Sequence, residues 1–219
     1  MLELTARHKL YLVLVATFLT ALLVADVTAG KFFDMGGLSI SVGVIPFPIT
    51  FVLTDVVNEY YGKRGARLMT MIGCAMLVFA FLIIVVARTL PVAPRSPVPQ
   101  PAFEAVFGLS FRFFGASLTA YLVGQLADIY VFHRAKRITR SRHLWLRATG
   151  STAISQIADT VVVNFAALAG TMAFSEIAAV TAWSYVYKMA VAVSLTPLLY
   201  LVHSLVTNRL GIAAHPVED

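Results

Sequence analysis

The sequence contains a single cysteine, Cys74, inside an apolar run. That excludes an intramolecular disulfide and any cysteine-based metal framework. Charge is scarce as well: Asp, Glu, Lys and Arg make up 13% of the 219 residues, against 59% hydrophobic residues. Such a balance excludes an ordinary soluble globular domain. His133, His143 and His203 stand apart, with no H-x-x-x-H pair and no carboxylate at a matching offset, so no metal site is expected. No Gly-rich phosphate loop, Ser/His/Asp grouping or acidic pair at hydrolase spacing stands out, and neither a catalytic residue nor a cofactor is expected. The formal net charge of +6 does not imply nucleic acid, because the basic residues lie in short stretches between apolar runs.

What is present is a series of long apolar runs. They predict an all-α integral membrane protein with six transmembrane helices in one bundle, a single domain over 1–219, and membrane lipid as its surroundings. The spans are expected at about 10–27, 38–57, 68–87, 113–132, 148–171 and 183–206. The first could pass for a signal peptide, but its apolar core is too long and lacks a small-residue exit, so it is read as a mature helix. A short connection is expected from Gly30 to Ser41. In the second span, Pro46 and Pro48 are expected to kink or unwind the helix near its middle. Prolines at 91, 94, 97, 99 and 101 predict an extended loop over Arg88 to Phe103.

Arg7 and Lys9 precede the first span, Lys63, Arg64 and Arg67 follow the second, and the most basic loop is expected from His133 to Arg147. These all fall on one side of the six-span layout, which places both termini in the cytoplasm. Ala116, Ala120 and Gly124 make a small-residue face on the fourth span that admits a close neighbour, within the bundle or in a homo-oligomer.

Polar side chains inside the spans are the candidates for function. Asp55, Asn58 and Glu59 share a helix face at the end of the second span. Gln125 and Asp128 lie on one stripe of the fourth span with Tyr121 and Phe132, and Gln156 and Asp159 repeat the spacing on the fifth with Thr152. Asp159 falls near mid-span, where a carboxylate calls for a function or a cation. Lys188 of the sixth span is available as that cation, or snorkels to the interface. Asn58 and Glu59 have an innocent alternative, solvated at the headgroup level beside Lys63.

One enzyme reading is open to a test. Asp55, Asn58, Glu59, Gly62, Gly65, Ala66 and Arg67 are loosely similar to the D-G-x-x-A-R signature of membrane CDP-alcohol phosphotransferases. That chemistry needs further aspartates downstream to hold two metal ions, and 68–87 contains no carboxylate.

The stretches PITFVLTDVVNEYYGKRGAR (48–67), LWLRATGSTAISQIADT (144–160) and YKMAVAVSLTPLLY (187–200) resemble the queuosine precursor transporter family, six-span proteins of vitamin-uptake type. The resemblance covers nearly the whole chain. It implies a transporter, not an enzyme, that imports the 7-deazaguanine bases preQ0 and preQ1 across the bacterial inner membrane for tRNA queuosine modification. The chemistry of the polar residues suits such a substrate. A carboxylate can accept a ring N–H and the exocyclic amine together, an amide can meet the carbonyl edge, and aromatics such as Phe47, Tyr121 or Tyr185 can stack on the ring. The expectation is therefore a polar cavity walled by the second, fourth and fifth spans. Asp159 and Gln156 recognise the base, Gln125, Asp128 and Lys188 line the site, and Asp55, Asn58 and Glu59 form the inner end of the path or a gate. Two alternatives stay open: a substrate-capture subunit energised by a partner ATPase, as in energy-coupling-factor systems, and a lipid-headgroup transferase.

Overall fold

The computed structural model describes residues 5–28, 31–35, 38–108, 111–140, 143–170 and 173–216. Helix α1 spans Ala6–Thr28 and leads to a small antiparallel hairpin, β1 (Phe32–Met35) and β2 (Leu38–Ser41), with Phe32 opposite Ser41. A single 3-10 turn, Val42–Val44, joins the hairpin to α2 (Phe47–Thr89). Then come α3 (Gln100–Phe107), α4 (Phe111–Ile138), α5 (Leu144–Leu168), α6 (Phe174–Ser194) and α7 (Thr196–Leu210). Gly30 and Thr171, which bound two of the sequence-based segments, lie outside the described residues.

Three helical segments are long and apolar enough to cross a membrane by themselves: Ala6–Thr28, Phe47–Thr89 and Phe174–Leu210. Helices α4 and α5 have the length, but the polar stripes they carry lower their hydropathy.

The 43 residues of α2 would measure about 65 Å if straight, twice the thickness of a hydrocarbon core. Gly62 resolves this. Its φ of 67° and ψ of −172° lie in a region open essentially to glycine alone, and they break the helix into legs 47–61 and 63–89. Contacts along α4 show that the chain reverses there. Glu59 reaches Lys136 and Asn58 reaches Asp128, while on the other leg the Tyr121 hydroxyl donates to the carbonyl of Thr70 at 3.0 Å and Phe81 stacks on Phe114 with centroids 3.8 Å apart. Both legs therefore run back along α4 from the break. The reversal is tight: a Cβ on Gly65 would come within 2.5 Å of the Cβ of Tyr61.

A broken helix leaves backbone carbonyls without donors, and neighbouring segments supply donors around this break. Arg7 of α1 donates to the carbonyl of Tyr60, and Tyr11 donates to that of Gly65 at 2.8 Å. Lys136 of α4 and the backbone N–H of His215 both donate to the carbonyl of Glu59, at 3.3 and 2.8 Å. The Tyr60 hydroxyl meets His203 and Thr207, pinning α7 to the same end.

Three sequence expectations are corrected. The second span does not begin at 38. Residues 38–41 form β2, and α2 starts at Phe47 with Pro48 in its first turn, so Pro46 and Pro48 start the helix and do not kink it. Proline suits that position because a first-turn N–H has no helical acceptor to lose. The proline-rich loop ends early, since α3 begins at Gln100. The basic stretch from His133 to Arg147 is mostly helix, because α4 runs on to Ile138 and α5 begins at Leu144.

The outward faces are apolar. On the second leg of α2, Leu68, Phe79, Leu82, Ile83 and Val86 are all exposed, while Met69, Thr70, Gly73 and Leu77 turn inward. In water such a surface would be a liability; it fits a lipid environment. Polar side chains instead concentrate between α2, α4 and α5, where Thr50, Thr54, Asn58, Asp128, Ser151, Ser155, Gln156 and Asp159 are buried.

Candidate functional site

Helices α4 and α5 approach closely because Ala116, Ala120 and Gly124 offer no bulk. A Cβ added to Gly124 would stand 3.2 Å from the Cβ of Asp159. The small-residue face thus packs inside the bundle, and it brings the polar stripes of the two helices together.

Between these stripes and the first leg of α2 lies a cleft of about 360 Å³. Phe47, Phe51 and Thr54 line it from α2, Tyr121, Gly124, Gln125 and Asp128 from α4, and Thr152, Ser155, Gln156 and Asp159 from α5. One wall is aromatic and the opposite wall carries amides and carboxylates.

Asp159 pairs with Lys188 at 2.7 Å; the ammonium also reaches the Thr160 hydroxyl at 3.4 Å and stands 5.1 Å from the centroid of Phe47. This is the cationic partner that the depth of Asp159 called for, and Lys188 turns inward to meet it. Asp128 receives long hydrogen bonds, 3.4 Å each, from the amide of Asn58 and the hydroxyl of Ser155. The side-chain oxygens of Gln125 and Gln156 are enclosed and have no hydrogen-bond partner. Buried amide oxygens are normally satisfied, so these two are available to a donor on a bound molecule.

The three polar residues of α2 part company. Asn58 joins Asp128 at the floor of the cleft. Glu59 sits in an ion triad with Lys136 at 3.2 Å and Arg147 at 2.8 Å, all three buried, and Arg147 lies over the Phe132 ring. It is neither solvated nor paired with Lys63. Asp55 faces a second pocket between α2, α5 and the α6–α7 junction, separated from the cleft by Phe51 and Thr152, which line both.

Sequence reasoning missed Lys136 and Arg147, taking them for surface charges. The signal was present: Asp128, Phe132 and Lys136 continue the α4 stripe at steps of four, and Arg147, Ser151 and Ser155 do the same on α5. It also passed over Asp26 near the end of α1, whose carboxylate accepts from Ser117 and lies within the field of Asp159.

Residues 41–202 match the family described as putative vitamin uptake transporter. The chain is 32% identical over 186 residues to the probable queuosine precursor transporter of Bacillus subtilis (strain 168), covering 84% of this chain and 80% of that one. It is 32% identical over 123 residues to the probable queuosine precursor transporter of Haemophilus influenzae, across 48% of the latter. It is 30% identical over 128 residues to the queuosine precursor transporter of Escherichia coli (strain K12), across 53% of that chain. No solved structure matches. With most of its length inside the matched region, including every helix that lines the cleft, the chain belongs to the vitamin uptake transporter family.

Proposed function

We propose that this chain is a six-crossing transporter of the bacterial inner membrane that imports 7-deazaguanine queuosine precursors, preQ0 and preQ1. The crossings are α1, the two legs of α2, α4, α5, and α6 with α7, and both termini face the cytoplasm. The reversal at Gly62 supports this layout, since it turns one overlong helix into two crossings and puts Lys63, Arg64 and Arg67 at the same end as Arg7 and Lys9.

One observation carries the choice of ligand. In a cleft with Phe47 and Phe51 on one side, the unpartnered amide oxygens of Gln125 and Gln156 stand beside the carboxylates of Asp128 and Asp159. A flat heterocycle with adjacent N–H and amine donors fits such acceptors, and its faces suit the phenyl rings. Gln156 and Asp159 take the donor edge of the base, Gln125 and Asp128 line the opposite end, and Lys188 holds Asp159 until the base displaces it. Asp55, Asn58 and Glu59 belong to the inner end of the path. The aminomethyl group of preQ1 is cationic, and the carboxylates of the cleft favour it.

The test is tRNA queuosine content in cells unable to make the precursors, at limiting external preQ0 or preQ1, with and without the protein. Content that does not depend on the protein removes the proposal. Uptake into liposomes containing only the purified chain separates a self-sufficient transporter from a capture subunit that needs an ATPase partner.

A further inference from the structure

The second pocket has a composition unlike the first. It contains one ionisable side chain, Asp55, which is 6% exposed and whose Oδ1 has no hydrogen-bond partner. Three hydroxyls share it: Thr149 and Thr152 of α5 and Thr196 at the start of α7. Elsewhere in the helices, threonines such as Thr17, Thr54, Thr70 and Thr139 return their hydroxyls to a carbonyl one turn back. Among the described residues, Thr149, Thr152 and Thr196 make no such bond, so their oxygens are free to face the pocket.

The backbone adds acceptors. Pro197 provides no N–H, and the helix is interrupted between Ser194 and Thr196. The carbonyl of Val193 therefore loses its helical donor, whereas those of Val191 and Leu195 still accept from the N–H groups of Leu195 and Leu199 at 3.1 Å each; Ala192 and Leu195 of this junction line the pocket.

Charge points the same way. The charges that reach Asp55 are those of Asp128, Arg147 and Glu59, with Lys136 bound to Glu59. The carboxylates of Asp55, Asp128 and Glu59 stand against two cations, Lys136 and Arg147, and Lys188 is taken up by Asp159. With all three carboxylates ionised the cluster is short of one positive charge, and the unpartnered Oδ1 of Asp55 marks where that charge would be supplied.

We propose that the pocket between α2, α5 and the α6–α7 junction is a Na+ site, with Asp55 as the anionic ligand and Thr149, Thr152, Thr196 and junction carbonyls as neutral oxygen ligands. One carboxylate among hydroxyls and carbonyls suits a hard monovalent ion. A divalent or transition metal calls for more anionic or imidazole ligands, and among the described residues no group of three or more His, Cys, Asp or Glu side chains gathers. Because Phe51 and Thr152 form part of both pockets, the ion also sets the wall of the cleft, and Na+ and the base should reinforce each other's binding.

The site is tested on the full-length purified protein without any substrate, so that the result stands apart from the transport proposal. Thermal unfolding is followed in detergent while NaCl replaces KCl at constant ionic strength. Wild type should gain about 5 °C at saturating Na+ over K+. Asp55→Asn should lose that gain, and Thr149→Val, which keeps the carboxylate, should need about tenfold more Na+ to reach it. Equal melting temperatures in Na+ and K+ overturn the proposal, as does a Na+ gain that persists in Asp55→Asn. If stability instead follows pH and ignores Na+, a proton on the carboxylate supplies the missing charge and the Na+ site is wrong. A Na+ gain in a protein that fails to support precursor uptake keeps the ion site and removes the proposed cargo.

Discussion

Two buried ionic centres lie in the polar interior, and they are built on opposite plans. At one end, Glu59 is clamped by Lys136 and Arg147, with side-chain exposures of 2–4%. The same lysine holds the carbonyls of Glu59 and His215, so four segments of chain meet there. In the cleft, Asp159 has one partner, Lys188, and the pair is 10% and 18% exposed. The first centre sets two cations directly on one carboxylate and is enclosed; the second is a single pair and more open. Over-determined pairs hold a structure together, whereas a single accessible pair can exchange its partner for a ligand at small cost.

That contrast predicts different failures. The largest effect is expected from Glu59→Gln, which strands two buried cations and should cost about 3–5 kcal/mol of stability. Folded protein recovered from membranes, and its melting temperature, read this directly; a melting temperature equal to wild type would make the triad dispensable. Asp159→Asn should leave folding within about 1 kcal/mol of wild type, since Lys188 can extend toward the interface. It should nevertheless lower preQ1 uptake about 10- to 100-fold. Equal losses of stability in the two variants would erase the distinction between the centres. Gln156→Leu sharpens the role of the cleft further: the concentration for half-maximal uptake should rise about tenfold with little change in maximal rate.

The smallest effect concerns a third pair, outside the polar interior. Arg88 binds Glu104 of α3 at 2.7 Å and, chiefly through that hydrogen bond, holds the Glu104 carboxyl below its ordinary pKa. A carboxylate of depressed pKa contributes stability above the ordinary carboxylate range and loses it as pH falls through the depressed value. The pair is exposed, so Glu104→Gln should change the melting temperature at neutral pH barely at all. It should flatten only the acid limb of a stability–pH curve.

The helical membrane character and the α2, α4 and α5 walls of the cleft were legible in the sequence, because apolar length and polar stripes are local patterns. The region before Phe47 was not. Leu38 to Ser41 alternates apolar and polar residues as a strand does, yet its hydrophobicity merged with that of the following helix, and the prolines then looked internal to a long span. Lys136 and Arg147 were hidden for a different reason. Assigning basic residues to a side of the membrane treats them as surface groups, and whether a long side chain turns in depends on an acid contributed by a distant segment. Asp55 and Glu59 share a face in the sequence, but the neighbours that give one a pocket and the other an ion triad come from α4, α5 and α7.

The single-residue reversal at Gly62 also bears on how the protein is handled. Two antiparallel legs joined without a loop leave no strand of chain at that end for a protease to grip or an epitope to extend. The two legs of α2 meet where α1, α4, α7 and residues 211–216 are all tied.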